Sequence, residues 1–210
     1  MRDATEVRDE LLLERVAVGD EEAFRVLYQR HQGRLYRYAL HMTGRPEAAE
    51  EVVQEVFMVL IRGSETFDAS RGPLAAFLFG ITRNRVFRLL ETDRRYVEMP
   101  EDWSEDIPAG GCAAFVGDQV DATELLVRSE INARVRKAVL SLPERYREVV
   151  TLCDLEEMEY EQAAAILNCP VGTVRSRLNR ARAMLAEKLI AVSAPRPAAG
   201  IAEPRVADVR

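Results

Sequence analysis

Long uncharged hydrophobic runs are missing from this chain of 210 residues. A helix that crosses a bilayer needs roughly 20 apolar residues. The longest uncharged apolar stretches, residues 72–82 and 107–117, are only about half that length. The first ten residues are mostly polar and contain no apolar segment that could act as a signal peptide. We therefore expect a cytoplasmic protein with no membrane insertion.

Cysteine and histidine are equally scarce. Cys112, Cys153 and Cys169 are odd in number and form no CxxC pair, which argues against a disulfide framework. His31 and His41 have no ligand-spaced cysteine nearby, whereas a zinc site needs about four such ligands. The sequence also lacks a glycine-rich phosphate loop and a Gly-x-Ser-x-Gly motif. We predict no metal, no cofactor, no small-molecule substrate and no enzymatic activity.

The net charge of −6 is unevenly distributed along the chain. Residues 1–97 hold 15 basic and 16 acidic side chains, whereas residues 98–130 hold 1 and 9. Basic side chains concentrate in residues 83–95 and 175–188, on either side of the acidic segment. Two basic segments separated by an acidic one indicate contact with nucleic acid at two places. On charge alone, solvated helix faces explain the pattern equally well.

Helical periodicity runs through almost the whole chain and predicts an all-α fold. Asp20 suits the N-cap of a helix that extends to Met42 and ends at Gly44. Prolines suited to the first turn of a helix occur at three further points, Pro46, Pro73 and Pro143.

The periodicity stops between residues 97 and 121, where proline, glycine and acidic residues are typical of a linker. We predict two small helical domains, 1–97 and 122–191, joined by a flexible acidic linker, 98–121. A proline- and alanine-rich tail, 192–210, is expected to be disordered.

The most informative segment is YEQAAAILNCPVGTVRSRLNRARAML. A short alanine-rich helix is followed by a turn that ends in Pro170 and by a second helix with one apolar stripe. This pattern is typical of a helix-turn-helix, whose second helix enters the DNA major groove. Candidate base and phosphate contacts lie on the rest of that helix: Thr173, Arg175, Ser176, Arg177, Asn179 and Arg180. An ordinary helical hairpin with a basic exterior is the alternative.

Both halves of the chain resemble bacterial RNA polymerase sigma factors of the extracytoplasmic-function (ECF) class. The domain that reads the promoter −35 element in that family is similar to LSLPERYREVVTLCDLEEMEYEQAAAILNCPVGTVRSRLNRARAML. Helices that dock on the polymerase resemble DEEAFRVLYQRH and RPEAAEEVVQEVFMVL, and the −10 reading segment resembles the helix containing GITRNRV. The resemblance covers about residues 10–97 and 122–190.

The resemblance implies roles for residues of the first domain. Contacts with the β′ clamp helices of core RNA polymerase are implied for Glu51, Gln54, Glu55 and Phe57. Capture of a base flipped out of the −10 element is implied for the loop 64–71. Contacts with the opened −10 DNA are implied for Phe67, Arg83, Asn84, Arg85 and Arg88. Each of these roles has an alternative. The polar face with Glu51, Gln54 and Glu55 could be plain solvated surface. Phe57 could pack in the core, and Phe67 could anchor the loop.

The family resemblance thus implies a sigma factor that binds core RNA polymerase and promoter DNA and directs initiation through −10 and −35 recognition. It also implies control by an anti-sigma factor. A helix-turn-helix regulator that acts without polymerase is the alternative function, although it leaves the first domain unexplained.

Overall fold

A computed structural model describes residues 7–63, 67–96 and 122–193. Within these ranges the chain forms eight α-helices, which confirms the predicted all-α class. They are α1 (Asp9–Ala17), α2 (Glu21–Thr43), α3 (Pro46–Arg62), α4 (Leu74–Tyr96), α5 (Ala122–Leu140), α6 (Glu144–Val150), α7 (Tyr160–Leu167) and α8 (Val171–Ser193). The predicted linker, most of the predicted tail and residues 64–66 of the predicted base-capture loop lie outside the described residues.

In the first domain, α2 and α3 begin and end where local signals in the sequence predict. The Asp20 carboxylate accepts a hydrogen bond from the Ala23 amide (3.1 Å), and Gly44 ends α2 in the left-handed region at φ 74°. Pro46 occupies the first turn of α3. Helix α1 was not predicted: it is short, and no side chain caps its N-terminus.

Helices α1–α4 form the N-terminal domain around the apolar faces of α2 and α3. The larger apolar side chains of α3, which recur at helical spacing, are buried: Val52, Val53, Val56, Phe57 and Leu60. Tyr38 of α2 is fully buried and meets Phe79 of α4 edge-to-face, with ring centroids 5.6 Å apart. Helix α1 packs on α2, and the Asp9 carboxylate lies 2.7 Å from Nε2 of His31.

Helices α5–α8 form the C-terminal domain. Val174, Leu178 and Ala181 of α8 are buried, as the apolar stripe predicted, while Leu185 is only half-buried. The helix predicted to follow Pro143 is not uniform, because α6 continues into a wider π-helical turn, Thr151–Leu155.

The two domains pack against each other, and their buried residues form one continuous apolar cluster. Leu140 of α5 lies close to Gly44, where a Cβ atom would come within 3.2 Å of the leucine side chain. Arg147 of α6 donates a hydrogen bond to the Met42 carbonyl near the end of α2 (2.7 Å). Among the described residues, no helix is both long and apolar enough to cross a membrane.

Candidate nucleic-acid interface

Helices α7 and α8 and the turn between them form the predicted helix-turn-helix. Asn168 ends α7 in the left-handed region (φ 50°, ψ 51°), and the Cys169 amide donates to the Ala164 carbonyl at 3.1 Å. The Thr173 amide donates to the Pro170 carbonyl (2.8 Å), which starts α8 directly after the proline. Ala163 and Ala164 are buried, so the small side chains let the two helices approach closely. We call α8 the recognition helix below.

The first turns of the recognition helix present the predicted polar face to solvent. Arg175, Ser176, Asn179 and Arg180 are exposed, and Thr173 and Arg177 are half-buried. The Ser176 hydroxyl donates to the Thr173 carbonyl at 3.0 Å, so this hydroxyl is turned toward its own helix. Arginine side chains suit guanine edges and phosphates, and asparagine suits adenine edges. The side chains of this exposed face are therefore suited to binding in the DNA major groove.

Several arginines of the recognition helix contact aromatic or acidic residues of the same domain. The Arg175 guanidinium lies 5.8 Å from the ring centroid of Tyr160, within range of a cation–π contact. A hydrogen bond with Arg180 lowers the pKa of the Tyr146 hydroxyl. The Arg182 guanidinium donates to both carboxylate oxygens of Asp154, at 3.0 and 2.6 Å. No local sequence pattern marks these supporting residues, Tyr146, Asp154 and Tyr160, because they lie 15 to 34 residues before the arginines.

The predicted −10 residues line α4 and the loop before it. Phe67 is half-buried and its ring centroid lies 5.5 Å from that of Phe77, a contact that favours the anchoring interpretation of Phe67. An open cavity of about 370 Å³ lies beside the two rings. Its wall includes Asn84 of α4 and, from the C-terminal domain, Ala165 and Ile166 of α7. Both domains thus contribute to the wall of this cavity.

The arginines of α4 have different neighbours. Arg85 pairs with Glu55 of α3 (3.1 Å), so a predicted −10 residue contacts a predicted polymerase-binding residue. Arg88 is exposed and lies beside the same small cavity as Glu51 and Glu55. Arg83 points instead at the C-terminal domain, where its Nε donates to the Glu148 carboxylate at 2.6 Å.

Three of the four residues predicted to bind the polymerase lie on the polar surface of α3, and the fourth, Phe57, does not. Glu51 and Gln54 are exposed and Glu55 is half-buried. Phe57 is only 3% exposed and packs against Phe24 and Tyr28, with ring centroids 6.0 and 4.7 Å away. The structure thus makes Phe57 a core residue, in agreement with the alternative interpretation of its position. In this arrangement its ring has no free surface for the polymerase.

Two buried carboxylates, Glu148 and Glu156, were not identified from the sequence. Burial raises the pKa of both, and the arginines beside them oppose that rise. No pattern in the sequence distinguishes them from the exposed acidic residues around them. In the described part of the chain, no three His, Cys, Asp or Glu side chains are grouped to hold a metal ion.

Comparison with known families matches both halves of the chain. Residues 27–96 match the model of sigma-70 region 2, and residues 132–185 match that of sigma-70 region 4. The ECF RNA polymerase sigma-E factor of Haemophilus influenzae is 32% identical over 188 residues, covering 89% of this chain and 97% of that protein. The RNA polymerase sigma-H factor of Pseudomonas aeruginosa is 34% identical over 186 residues, covering 85% and 92%.

Two solved structures have the same arrangement of helices. CnrH, solved in complex with the cytosolic domain of CnrY, superimposes with a TM-score of 0.64 at 28% identity, covering 88% of this chain and 99% of CnrH. The sigma factor RpoE from Bartonella quintana, solved with the anti-sigma factor NepR, gives a TM-score of 0.61 at 26% identity. That match covers 81% of this chain and 98% of RpoE.

Proposed function

Because the chain belongs to the ECF class of sigma-70 RNA polymerase sigma factors, we propose a role for each of its exposed polar faces. The protein binds core RNA polymerase and directs promoter-specific initiation through −10 and −35 recognition. Its family consists of non-catalytic initiation factors. We therefore assign it no reaction and expect the binding energy of the polymerase complex to drive promoter melting.

The recognition helix reads the −35 element in the major groove. The observation that carries this assignment is the polar face of α8, where Arg175, Ser176, Asn179 and Arg180 are exposed and adjacent to half-buried Thr173 and Arg177. Second helices of this motif contact base edges with their N-terminal residues. The contacts of Arg175 and Arg180 with tyrosines reduce the freedom of both side chains, which lowers the entropy lost on binding.

The loop before α4 and the exposed side of α4 bind the opened −10 strand. Asn84 supplies a base-edge contact, and Arg83, Arg85 and Arg88 supply contacts with phosphates. Phe67 shapes the base-receiving cavity through its contact with Phe77. The exposed face of α3, with Glu51, Gln54 and Glu55, binds the clamp helices of the polymerase β′ subunit.

An anti-sigma factor controls the protein, and both act in the bacterial cytoplasm, where RNA polymerase works. Two structural relatives support this proposal: RpoE was solved with the anti-sigma factor NepR, and CnrH with the cytosolic domain of CnrY. A regulator that binds DNA without polymerase remains the competing function, but the match of residues 27–96 to sigma-70 region 2 does not favour it.

Charge reversal on α3 tests polymerase binding. We expect Glu51→Lys to weaken retention of the protein by immobilised core polymerase about tenfold, a loss of roughly 1.4 kcal/mol. Glu14→Lys on α1 is a matched control, because Glu14 is also an exposed glutamate of the same domain. Equal retention of both variants and the unmodified protein would contradict the assignment of this face.

A further inference from the structure

Two glutamates of the C-terminal domain lose nearly all contact with water at the boundary with the N-terminal domain. Glu148 of α6 is 5% exposed, and Glu156, which follows the π-helical turn, is 3% exposed. Each faces arginine side chains of the N-terminal domain, 65 to 122 residues away in sequence. A buried charge is stable only when it is paired and hydrogen-bonded.

Glu156 is held by two arginines of α2. The Arg37 guanidinium donates to both carboxylate oxygens, each at 3.0 Å. Nε of Arg34 donates to the same carboxylate at 3.2 Å, and a second Arg34 nitrogen donates to the Glu156 carbonyl. The Arg37 side chain is 51% exposed and the Glu156 side chain is 0% exposed. Water therefore cannot replace the arginines as hydrogen-bond partners of the carboxylate in this arrangement.

Glu148 is held by Arg83, a residue that we assign to the −10 strand. The N···O distance of 2.6 Å is that of a strong charge-assisted hydrogen bond. Arg177 of the recognition helix also acts electrostatically on this carboxylate and opposes the rise in the pKa of Glu148 that burial causes. Arg83 is therefore already paired within the protein when no DNA is bound.

The same domain boundary runs along the cavity assigned to the flipped base. Ala165 and Ile166 of α7 form part of the cavity wall, together with Asn84 and Phe67. DNA that binds Arg83 therefore breaks a contact between the two domains, next to a cavity that both domains line.

We propose that Glu148 and Glu156 form an electrostatic lock, which holds the two domains together and opens when nucleic acid takes Arg83 from Glu148. The proposal rests on the assignment of Arg83 to the −10 strand. A phosphate that binds Arg83 leaves Glu148 buried and unpaired, a state that strongly disfavours the closed arrangement. Domain opening and single-stranded DNA binding are then reciprocally coupled.

Removal of the arginines that pair with Glu156 tests the lock. Neither Arg34 nor Arg37 belongs to the assigned DNA or polymerase faces. In the full chain, Arg34→Gln/Arg37→Gln leaves Glu156 without its ion pairs, so the domains separate and the radius of gyration from small-angle X-ray scattering rises. The probe is a fluorescein-labelled single-stranded DNA of randomised sequence, about 15 nucleotides long. By fluorescence anisotropy, we expect it to bind about fivefold or more tightly, within the usual range of coupling.

The direction of the change in DNA affinity distinguishes domain opening from a simple loss of positive charge. The control variant Arg25→Gln/Arg62→Gln loses the same two charges from exposed positions of the same domain, and we expect it to stay compact and bind the DNA no more tightly. Adding Glu156→Gln to Arg34→Gln/Arg37→Gln removes the unpaired charge. This triple variant returns to the compact form and to the DNA affinity of Arg25→Gln, a variant at an exposed position with the same net loss of one positive charge.

The proposal is overturned if Arg34→Gln/Arg37→Gln has an unchanged radius of gyration, or opens without a gain in DNA affinity over the control. It is also overturned if Glu156→Gln does not restore the compact form while circular dichroism shows all variants to be helical. Failure of the function itself is distinguishable. In that case no variant binds the single-stranded DNA, yet the radius of gyration still reports whether the lock exists.

Discussion

At the residue scale, the arginines of the recognition helix differ in what they already contact. Arg182 is committed to Asp154 through two hydrogen bonds. Arg175 lies over the ring of Tyr160 and is exposed to solvent. The exposed ring contact is weak, roughly 0.5–1 kcal/mol, so it orients the side chain without preventing DNA contact.

Substitution of Arg175 tests whether it reads a base. Arg175→Ala is expected to weaken binding of a −35 duplex by about 1–3 kcal/mol, and Arg175→Lys to lose most of the same discrimination because lysine cannot pair bidentately with guanine. Competition titrations against non-promoter DNA measure this. If Arg175→Lys is indistinguishable from the unmodified protein, and Arg175→Ala only makes the salt dependence shallower, Arg175 is a phosphate contact.

The exposed polar face of α8 could be predicted from sequence, because burial of Val174, Leu178 and Ala181 at helical spacing leaves Arg175, Asn179 and their neighbours outside. The neighbours that contact these arginines could not be predicted from the sequence. Asp154 meets Arg182 only because the π-helical turn brings it beside α8, and no local pattern encodes that approach.

At the element scale, helix ends follow local rules closely. The Asp20 cap and the first-turn proline of α3 lie where the sequence predicts. Helix α1 lacks such a signal, since Arg8 precedes it without a capping hydrogen bond, and its stability depends on burial of Leu12 and Leu13 against α2. The π-helical turn after α6 also lacks a local signal in the sequence, and Leu152 within it and Glu156 directly after it are buried.

Two glycines of the α2 region predict stability changes of opposite sign. Gly44→Ala forces a Cβ into a left-handed conformation and within 3.2 Å of Leu140, so we expect a loss of about 1–3 kcal/mol. Gly33 lies inside α2, where an added Cβ meets only Arg37 at 3.7 Å, and Gly33→Ala is expected to gain about 0.5–1 kcal/mol. Urea unfolding midpoints measure both. A stabilised Gly44→Ala protein would show that the strain is absent.

At the scale of the whole molecule, the sequence predicts two helical domains but not how they meet. The charged partners across the boundary, such as Arg83 with Glu148 and Arg37 with Glu156, are 65 and 119 residues apart. No local pattern in the sequence predicts burial of these glutamates, which pair with arginines of the other domain. The interactions that close the molecule are therefore the least predictable part of its fold.

The whole-molecule arrangement also relates the two DNA-binding faces to one another. In this arrangement Arg83 is paired within the protein and α7 lines the cavity beside Phe67, while Glu51 and Gln54 of α3 are exposed. If α3 binds core polymerase and Arg83 binds DNA, as we propose, polymerase can bind before the domains separate.

Run-off transcription decides whether this protein is an initiation factor. Purified core RNA polymerase is incubated with fragmented genomic DNA of the source bacterium, with and without the full chain, and the transcripts are sequenced. We predict discrete transcripts that appear only with the protein and that decrease with Glu51→Lys but not with Glu14→Lys. Identical transcripts with and without the protein, together with no retention on core polymerase, would contradict the assignment and leave a polymerase-independent DNA-binding regulator.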